Sequence, residues 1–298
     1  MVDALQVGDA RIRRIEEWQG NFLPPSVFFM GFDEAAFRRV ADPLTPAYYN
    51  AEADSLYAFL QTWVLEIDGL TVVWDTGAGN DKDRPGIPIF GNLQTPFLER
   101  FADAGLRLEE VDLVICSHLH IDHVGWNTRL DQGRWVPTFP NARYLLPVVD
   151  RDYWDPNGPG PRPTEGGAFV NSGTFEDSVQ PLLDAGVAEL VGHGYQVSKS
   201  LSLQAVPGHT PGHLAMNLRS RGEEAVFVGD VLHHPLQVHY PEWNSPYCED
   251  QAQARATRRR ILEEAAERNA LVVPAHFGGV HCCRVRRHGD AFVPVLEA

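Results

Sequence analysis

His118-Leu119-His120-Ile121-Asp122-His123 puts three imidazoles and a carboxylate within six consecutive residues. The run follows directly on a short apolar stretch, 111–116, that is bounded as a buried strand should be. On an extended segment residues i and i+2 point the same way, so His118 and His120 can converge on one cation. A turn after them brings Asp122 and His123 to a second point. Imidazole and carboxylate are the donors that suit zinc, iron, manganese or cobalt. A surface loop that merely holds histidines is the plain alternative, and the density of the run straight after a strand weighs against it.

Further donors lie downstream, each where an expected strand stops. Pro207-Gly208-His209-Thr210-Pro211-Gly212-His213 follows a strand at 201–206. Gly229-Asp230 follows 225–228, and Pro274-Ala275-His276 follows 271–273. Taken singly, a strand-end aspartate is more often a cap, and a single histidine more often a hydrogen-bonding residue. Together they give five histidines and two aspartates at carboxyl ends of strands. Layered α/β folds place active sites at that edge.

The rest of the chain supplies a frame. A period-two strand is expected at 10–18, and two strands at 57–67 and 70–74 meet at Asp68-Gly69, a hairpin signal. The second runs into Asp75-Thr76-Gly77. Thr95-Pro96 opens a helix, with Thr95 as cap, and Gly105 ends it. Residues 20–55 read as irregular and rich in exposed aromatics, and 150–173 as a long glycine- and proline-rich loop. The clearest helix is 251–269. Its basic run Arg258-Arg259-Arg260 reads as a solvated face beside Glu263 and Glu264. One internal echo links Val72-Val73-Trp74-Asp75 with Phe227-Val228-Gly229-Asp230, two apolar strands that end in aspartate.

With these residues in view, the chain resembles the metallo-β-lactamase-fold hydrolases. It matches their HxHxDH at 118–123, GHTPGH at 208–213, the strand-end Asp230, the late His276 and the upstream Asp-Thr-Gly at 75–77. The resemblance implies an α/β fold: an αββα sandwich of two mixed β-sheets flanked by helices. It also implies a single domain over 1–298, with an N-terminal extension around 20–55 and a loop insertion around 150–175. By position, His118, His120 and His209 resemble the ligands of a first metal. Asp122, His123 and His276 resemble those of a second, and Asp230 the bridging carboxylate. His213 belongs behind them, as the substitute for His209. Asp75 resembles an orienting acceptor for a ligand histidine. The implied cofactors are two divalent ions, zinc first, with iron, manganese or cobalt served by the same donors. A metal-bridging hydroxide is the implied nucleophile, with Asp122 relaying its proton.

The resemblance also separates branches. Flavodiiron reductases carry an acidic residue where His120 stands and a flavodoxin domain. The best-known zinc β-lactamases carry a cysteine where Asp230 falls. What remains is the lactonase and organophosphate-hydrolase-like branch. Its quorum-quenching lactonases commonly place a tyrosine three residues after the bridging aspartate, where this chain has His233. A neutral or protonated imidazole can serve the same oxyanion, so His233 joins Asp122 as a candidate catalytic residue. The expected activity is hydrolysis of small neutral esters, lactones foremost. The alternatives are phosphotriesters, aryl esters or thioesters, or a metal-binding sensor without turnover. Pocket candidates are Trp126, Phe28, Phe29, Phe90, Trp154 and Phe169.

Composition agrees. Among 298 residues, 25 basic and 40 acidic side chains leave a charge of −15, which repels phosphate backbones and anionic lipid. No apolar run is long enough to span a membrane and no secretory leader is seen, so neither a nucleic acid nor a membrane is an expected partner. Four cysteines do not make a disulfide scaffold, and a reduced, cytoplasmic setting is expected. A homodimer is expected, with a small-molecule ester or lactone as the substrate. Folding should leave roughly 12,600 Å² of surface exposed for a chain of this mass.

Overall fold

Alternation along the strands sorts side chains into layers. In Leu70–Trp74, Val72 and Trp74 face one way and Val73 the other; in Leu113–Ile115 the flanking residues oppose Val114 in the same manner. The computed structural model describes residues 4–296. In it a first mixed sheet runs, in spatial order, Ala4–Val7, Ala10–Asn21, Ser55–Ile67, Leu70–Trp74, Leu113–Ile115, Arg143–Pro147 and Ala188–Val191, with Tyr49–Asn50 added to Ser55–Ile67. Its pairs are antiparallel up to Leu70–Trp74 and parallel beyond. The second sheet is Leu201–Ala205, Leu214–Ser220, Glu223–Gly229 and Leu271–Pro274, parallel only in its last pair.

The two sheets share one core: Trp63, Val72, Trp74, Leu113 and Leu145 of the first meet Leu203, Met216, Phe227 and Val273 of the second. The outer face of the first sheet packs Val73, Val114 and Tyr144 against helical Phe97, Phe101, Tyr153 and Phe175. That of the second packs Val226 and Val272 against Ile261, Leu262 and Ala265 of the helix Gln251–Arg268. This is the αββα sandwich expected from the resemblance. The exposed surface, 12291 Å², agrees with the mass-based expectation. Among the described residues no helix is long and apolar enough to cross a membrane.

The internal echo is topological. Leu70–Trp74 and Glu223–Gly229 occupy equivalent places, each antiparallel to the strand before it in the chain and parallel to the strand that follows the next helical connection. Each is followed directly by an aspartate, Asp75 or Asp230.

Four expectations need correction. Residues 20–55 are not a string of exposed aromatics: Pro25–Phe28 and Glu34–Arg38 are short helices, and Phe28, Phe29, Phe37 and Tyr48 are buried against Trp243 and the second sheet's helical side. Residues 150–173 are not a loop throughout. Val148–Trp154 and Glu165–Val170 are helices, the latter capped by Thr164, which accepts from Gly167 N. Thr95 does not cap its helix; Pro96 takes the cap position, and the Thr95 amide and hydroxyl both donate to Asn80 Oδ1. Arg258 is not solvated. It is fully buried and donates to the carbonyls of Val231, Pro241 and Trp243 and to Asn244 Oδ1.

Candidate metal centre

Both sheets deliver their donors to one edge. Asp75 leaves the strand Leu70–Trp74 with φ 54°, a turn that sends its carboxylate back across the next strand end. There Oδ1 accepts from Ser117 N at 2.7 Å, and Oδ2 accepts from Ser117 Oγ at 2.8 Å and from His123 Nδ1 at 3.0 Å. The 118–123 segment is a succession of bends closed by a turn, with His123 N bonded to His120 O at 3.1 Å, rather than the extended stretch expected. His118 and His120 still converge, with ring centroids 4.7 Å apart, because the bend replaces the pleat.

Among the described residues four overlapping donor groups form, one of them His209, Asp230 and His233, and two match the sets that the resemblance implies. The ligating atoms of His118, His120 and His209 lie within 4.8 Å of one another, as do those of Asp122, His123 and His276. His120 Nδ1 is 2.9 Å from His209 Nε2. Asp230 stands between those two groups and turns one oxygen to each. Oδ2 is 3.2 Å from His209 Nε2 and 3.9 Å from His118 Nε2. Oδ1 is 3.3 Å from His123 Nε2 and 3.0 Å from His276 Nε2. Asp122 reaches His276 Nε2 at 3.5 Å and His123 Nε2 at 3.7 Å from the cleft side. All seven residues named from the sequence therefore meet in one place.

The far nitrogens are held by a surrounding layer. Ser117 Oγ lies 2.9 Å from His118 Nδ1, Phe59 O accepts from His276 Nδ1 at 2.8 Å, and Cys248 Sγ sits 3.6 Å from His209 Nδ1. Such partners fix ring orientation and tautomer. His213 belongs to this layer: its Nε2 accepts from Asp230 N at 3.4 Å, which holds the carboxylate in register.

The electrostatics call for positive charge at the centre. Burial, followed by the neighbouring imidazoles, pushes His118 and His120 well below the usual histidine range, so both are neutral, the form that ligates. Burial opposes charge at His123, His209 and His276, but their neighbours together, Asp230 first, outweigh it and raise all three, His209 to about 10. Asp230 itself is held well below the carboxylate range, its burial outweighed by those imidazoles. His118 Nε2, His123 Nε2 and Asp230 Oδ1 are buried, turned inward and make no hydrogen bond. Buried polar atoms without partners are costly, and a divalent cation is the ligand this nitrogen and oxygen set accepts. The residues present thus fit a metal centre.

A cleft of about 650 Å³ opens on this centre. Its base holds His120, Asp122, His209, Asp230, His233 and His276; its walls are Phe22, Phe28, Leu56, Ile87, Phe90, Val170 and Tyr247, among others. Among the described residues no lysine or arginine lines it. Phe22 and Phe90 stack at 6.0 Å, and Phe28 meets the His233 ring edge-on at 5.5 Å. Of the pocket candidates, Phe28 and Phe90 line the cleft. Trp126 stacks on Phe97 and donates to Glu17, and Phe29 packs on Trp243. Trp154 packs behind His120, and Phe169 is exposed. Phe22, Tyr247, Ile87 and Val170 were missed, since they reach the cleft from four separate segments and carry no local signal.

His233 lies at the cleft base, its Nε2 3.2 Å from Asp230 Oδ2, and neither ring nitrogen makes a hydrogen bond. Burial pushes it down to about 4, so it is a neutral imidazole with one N–H to offer. Its backbone is held by Gln237, whose Oε1 accepts from His233 N at 2.7 Å.

Comparison with known proteins places this geometry. Residues 60–276 match the profile of the Metallo-beta-lactamase superfamily. Hydroxyacylglutathione hydrolases of Aeromonas hydrophila subsp. hydrophila and Aeromonas salmonicida are each 31% identical over 137 residues, 46% of this chain. That segment spans only 38% of the length of those relatives. Among solved structures, the hydrolase AbOPH of the beta lactamase superfamily superposes with a TM-score of 0.83 at 21% identity, covering 99% of this chain and 97% of that one. AidC, a dizinc quorum-quenching lactonase, superposes at 0.78 with 17% identity, covering 99% and 97%. A probable metal-dependent hydrolase from Staphylococcus aureus superposes at 0.77 with 16% identity, covering 98% and 99%. At these identities the structural likeness speaks for the fold.

Proposed function

The chain belongs to the metallo-beta-lactamase superfamily of metal-dependent hydrolases, and on that premise we propose that it uses two divalent metal ions, zinc foremost, to hydrolyse small neutral esters, chiefly lactones. The observation that carries the substrate class is the cleft. Its walls are apolar and aromatic, and among the described residues no lysine or arginine lines them to complement an anionic substrate such as a glutathione thioester. The lactonase among the structural neighbours points the same way.

His118, His120 and His209 would hold one ion and Asp122, His123 and His276 the other, with Asp230 shared between them. When bound, such a pair acidifies water and polarises a carbonyl oxygen. The chain's own residues do the rest. Asp122, at the cleft side of the second group, takes the proton of the attacking water and passes it to the departing alkoxide. His233 donates its N–H to the oxyanion that develops on the attacked carbonyl. Phe22, Phe28 and Phe90 exclude water and seat the apolar part of the ester. Five rings on the walls, Phe22, Phe28, Tyr57, Phe90 and Tyr247, also suit aryl esters and neutral phosphotriesters, which form the second reading. A reduced, cytoplasmic setting accords with four free, buried cysteines. A homodimer with neither nucleic-acid nor membrane partners completes the proposal.

The test is proton release on adding a panel of lactones, aryl esters, phosphotriesters and thioesters to zinc-loaded protein, with Asp122→Asn beside it. Rapid lactone opening that the substitution abolishes is expected. Turnover confined to thioesters would overturn the substrate class.

A further inference from the structure

The Thr-Pro-Gly between His209 and His213 has no part in the chemistry above, and neither has Asp150, yet these residues meet. Asp150 is fully buried in the first turn of Val148–Trp154. Its Oδ2 accepts from Leu119 N at 3.1 Å and from the Thr210 hydroxyl at 2.8 Å, and its Oδ1 accepts from Gly212 N at 2.6 Å. Leu119 lies between His118 and His120, and Thr210 follows His209. One carboxylate is thus bonded to both loops that carry the first donor group.

The fit admits little else. A Cβ at position 212 would lie 2.3 Å from Asp150 N and 2.7 Å from Oδ1, so only glycine lets the second loop approach. The same residue of the first loop is also held at its carbonyl, where Leu119 O accepts from Asn171 Nδ2 at 2.9 Å. An amide in place of the carboxylate would not serve. All three partners donate, and the Leu119 and Gly212 N–H groups cannot reverse, so an asparagine would set its NH₂ against one of them. The second donor group is anchored elsewhere, by Asp75 on His123 and by Phe59 O on His276.

We propose that Asp150 is a positioning residue for His120 and His209, setting the affinity of the first metal ion and leaving the second untouched. This rests on the two-ion reading above. Partners behind metal ligands typically carry about 10–100-fold in affinity, and here one buried carboxylate orders two loops at once.

The test is competitive-chelator titration of zinc on the parent, Asp150→Asn, Thr210→Val and Thr210→Ser, with melting of each metal-free protein alongside. In Asp150→Asn and Thr210→Val one ion should bind about 10–100-fold more weakly while the other is unchanged. Thr210→Ser keeps the hydroxyl and should titrate like the parent. Thr210→Val keeps the side-chain volume and leaves Asp150 its two backbone donors, so it should fold when metal-free and melt only modestly below the parent, which keeps the test open if Asp150→Asn folds poorly. Parental affinity for both ions in Thr210→Val, or equal weakening of both, would overturn the proposal. A parent that takes up fewer than two zinc ions would instead overturn the two-ion reading beneath it.

Discussion

His233 shows how much one side chain can decide. It presents a neutral N–H at the base of an apolar cleft, beside a carboxylate shared by two donor groups. Losing one preorganised oxyanion donor costs about 10²–10³ in kcat. His233→Phe should therefore lower kcat by that order with zinc content unchanged, and His233→Tyr should recover part of it. Loss of zinc in His233→Phe would assign the ring to ligation instead. Asp122→Asn differs in kind. Asp122 stands both in a donor group and at the cleft, so turnover should fall by at least about 10²–10⁴ and zinc retention should weaken together with it.

Elements explain what single residues cannot. The helix Gln251–Arg268 is held by Arg258, whose guanidinium satisfies three backbone carbonyls and Asn244 Oδ1 around the 231–244 loop. Arg258→Ala strands those acceptors in the interior. At about 1–3 kcal/mol for each unsatisfied group it should destabilise by several kcal/mol. Arg259→Ala, on the half-exposed side with an i,i+4 pair to Glu263 and its guanidinium 5.8 Å from the Phe292 ring, should cost no more than about 1 kcal/mol. Denaturant unfolding of the two variants measures the contrast. Three consecutive arginines look alike in a sequence, and helical periodicity alone does not say which of them meets a carbonyl-rich loop. The same limit hid the strands Arg143–Pro147 and Leu214–Ser220, whose short or mixed patterns gain meaning only from neighbours on both sides. It hid the helix Glu165–Val170 as well, because Gly166-Gly167 is a poor helical pair by propensity. A side chain at Gly167 would displace the Glu249 carboxylate, 1.9 Å from its Cβ position, which accepts from Tyr153 Oη at 2.5 Å.

At the scale of the whole molecule, the metal centre is where distant segments agree. Its donors come from four strand ends, and their residue types and positions were readable because each segment stands at the carboxyl end of an apolar run. The surrounding layer was not readable. Asp75, through its Asp-Thr-Gly turn, and His213, through the second histidine of GHTPGH, were the exceptions; Ser117, Phe59 O, Cys248 and Asp150 carry no pattern of their own. Glu17 is the clearest case. From the first sheet it enters the turn after Asp75, accepting from Ala78 N at 2.7 Å, Gly79 N at 2.8 Å and Trp126 Nε1 at 2.7 Å. Gly77 must be glycine, with φ 59° and a Cβ position only 2.0 Å from Glu17 Oε2. Burial outweighs these three donors and raises the Glu17 carboxyl from 4.5 to about 7. A carboxyl raised on folding binds its proton more tightly in the native state. Its contribution is therefore full below pH 4.5 and is lost as pH rises to about 7, a change on the order of 3 kcal/mol. Glu17→Gln has no such proton. The stability difference should shift in favour of Glu17→Gln across that interval, as read by unfolding at a series of pH values. A difference independent of pH would show Glu17 ionised throughout.

The claim that binds these scales together is that two metal ions, held by seven residues from both sheets, make this chain a hydrolase of neutral esters. It is tested most directly by stripping the protein with a chelator and adding zinc back in measured equivalents while following lactone hydrolysis. Activity should be absent without metal and climb to a plateau at two equivalents per chain. A plateau at one equivalent, or lactone hydrolysis that survives complete removal of metal, would contradict it.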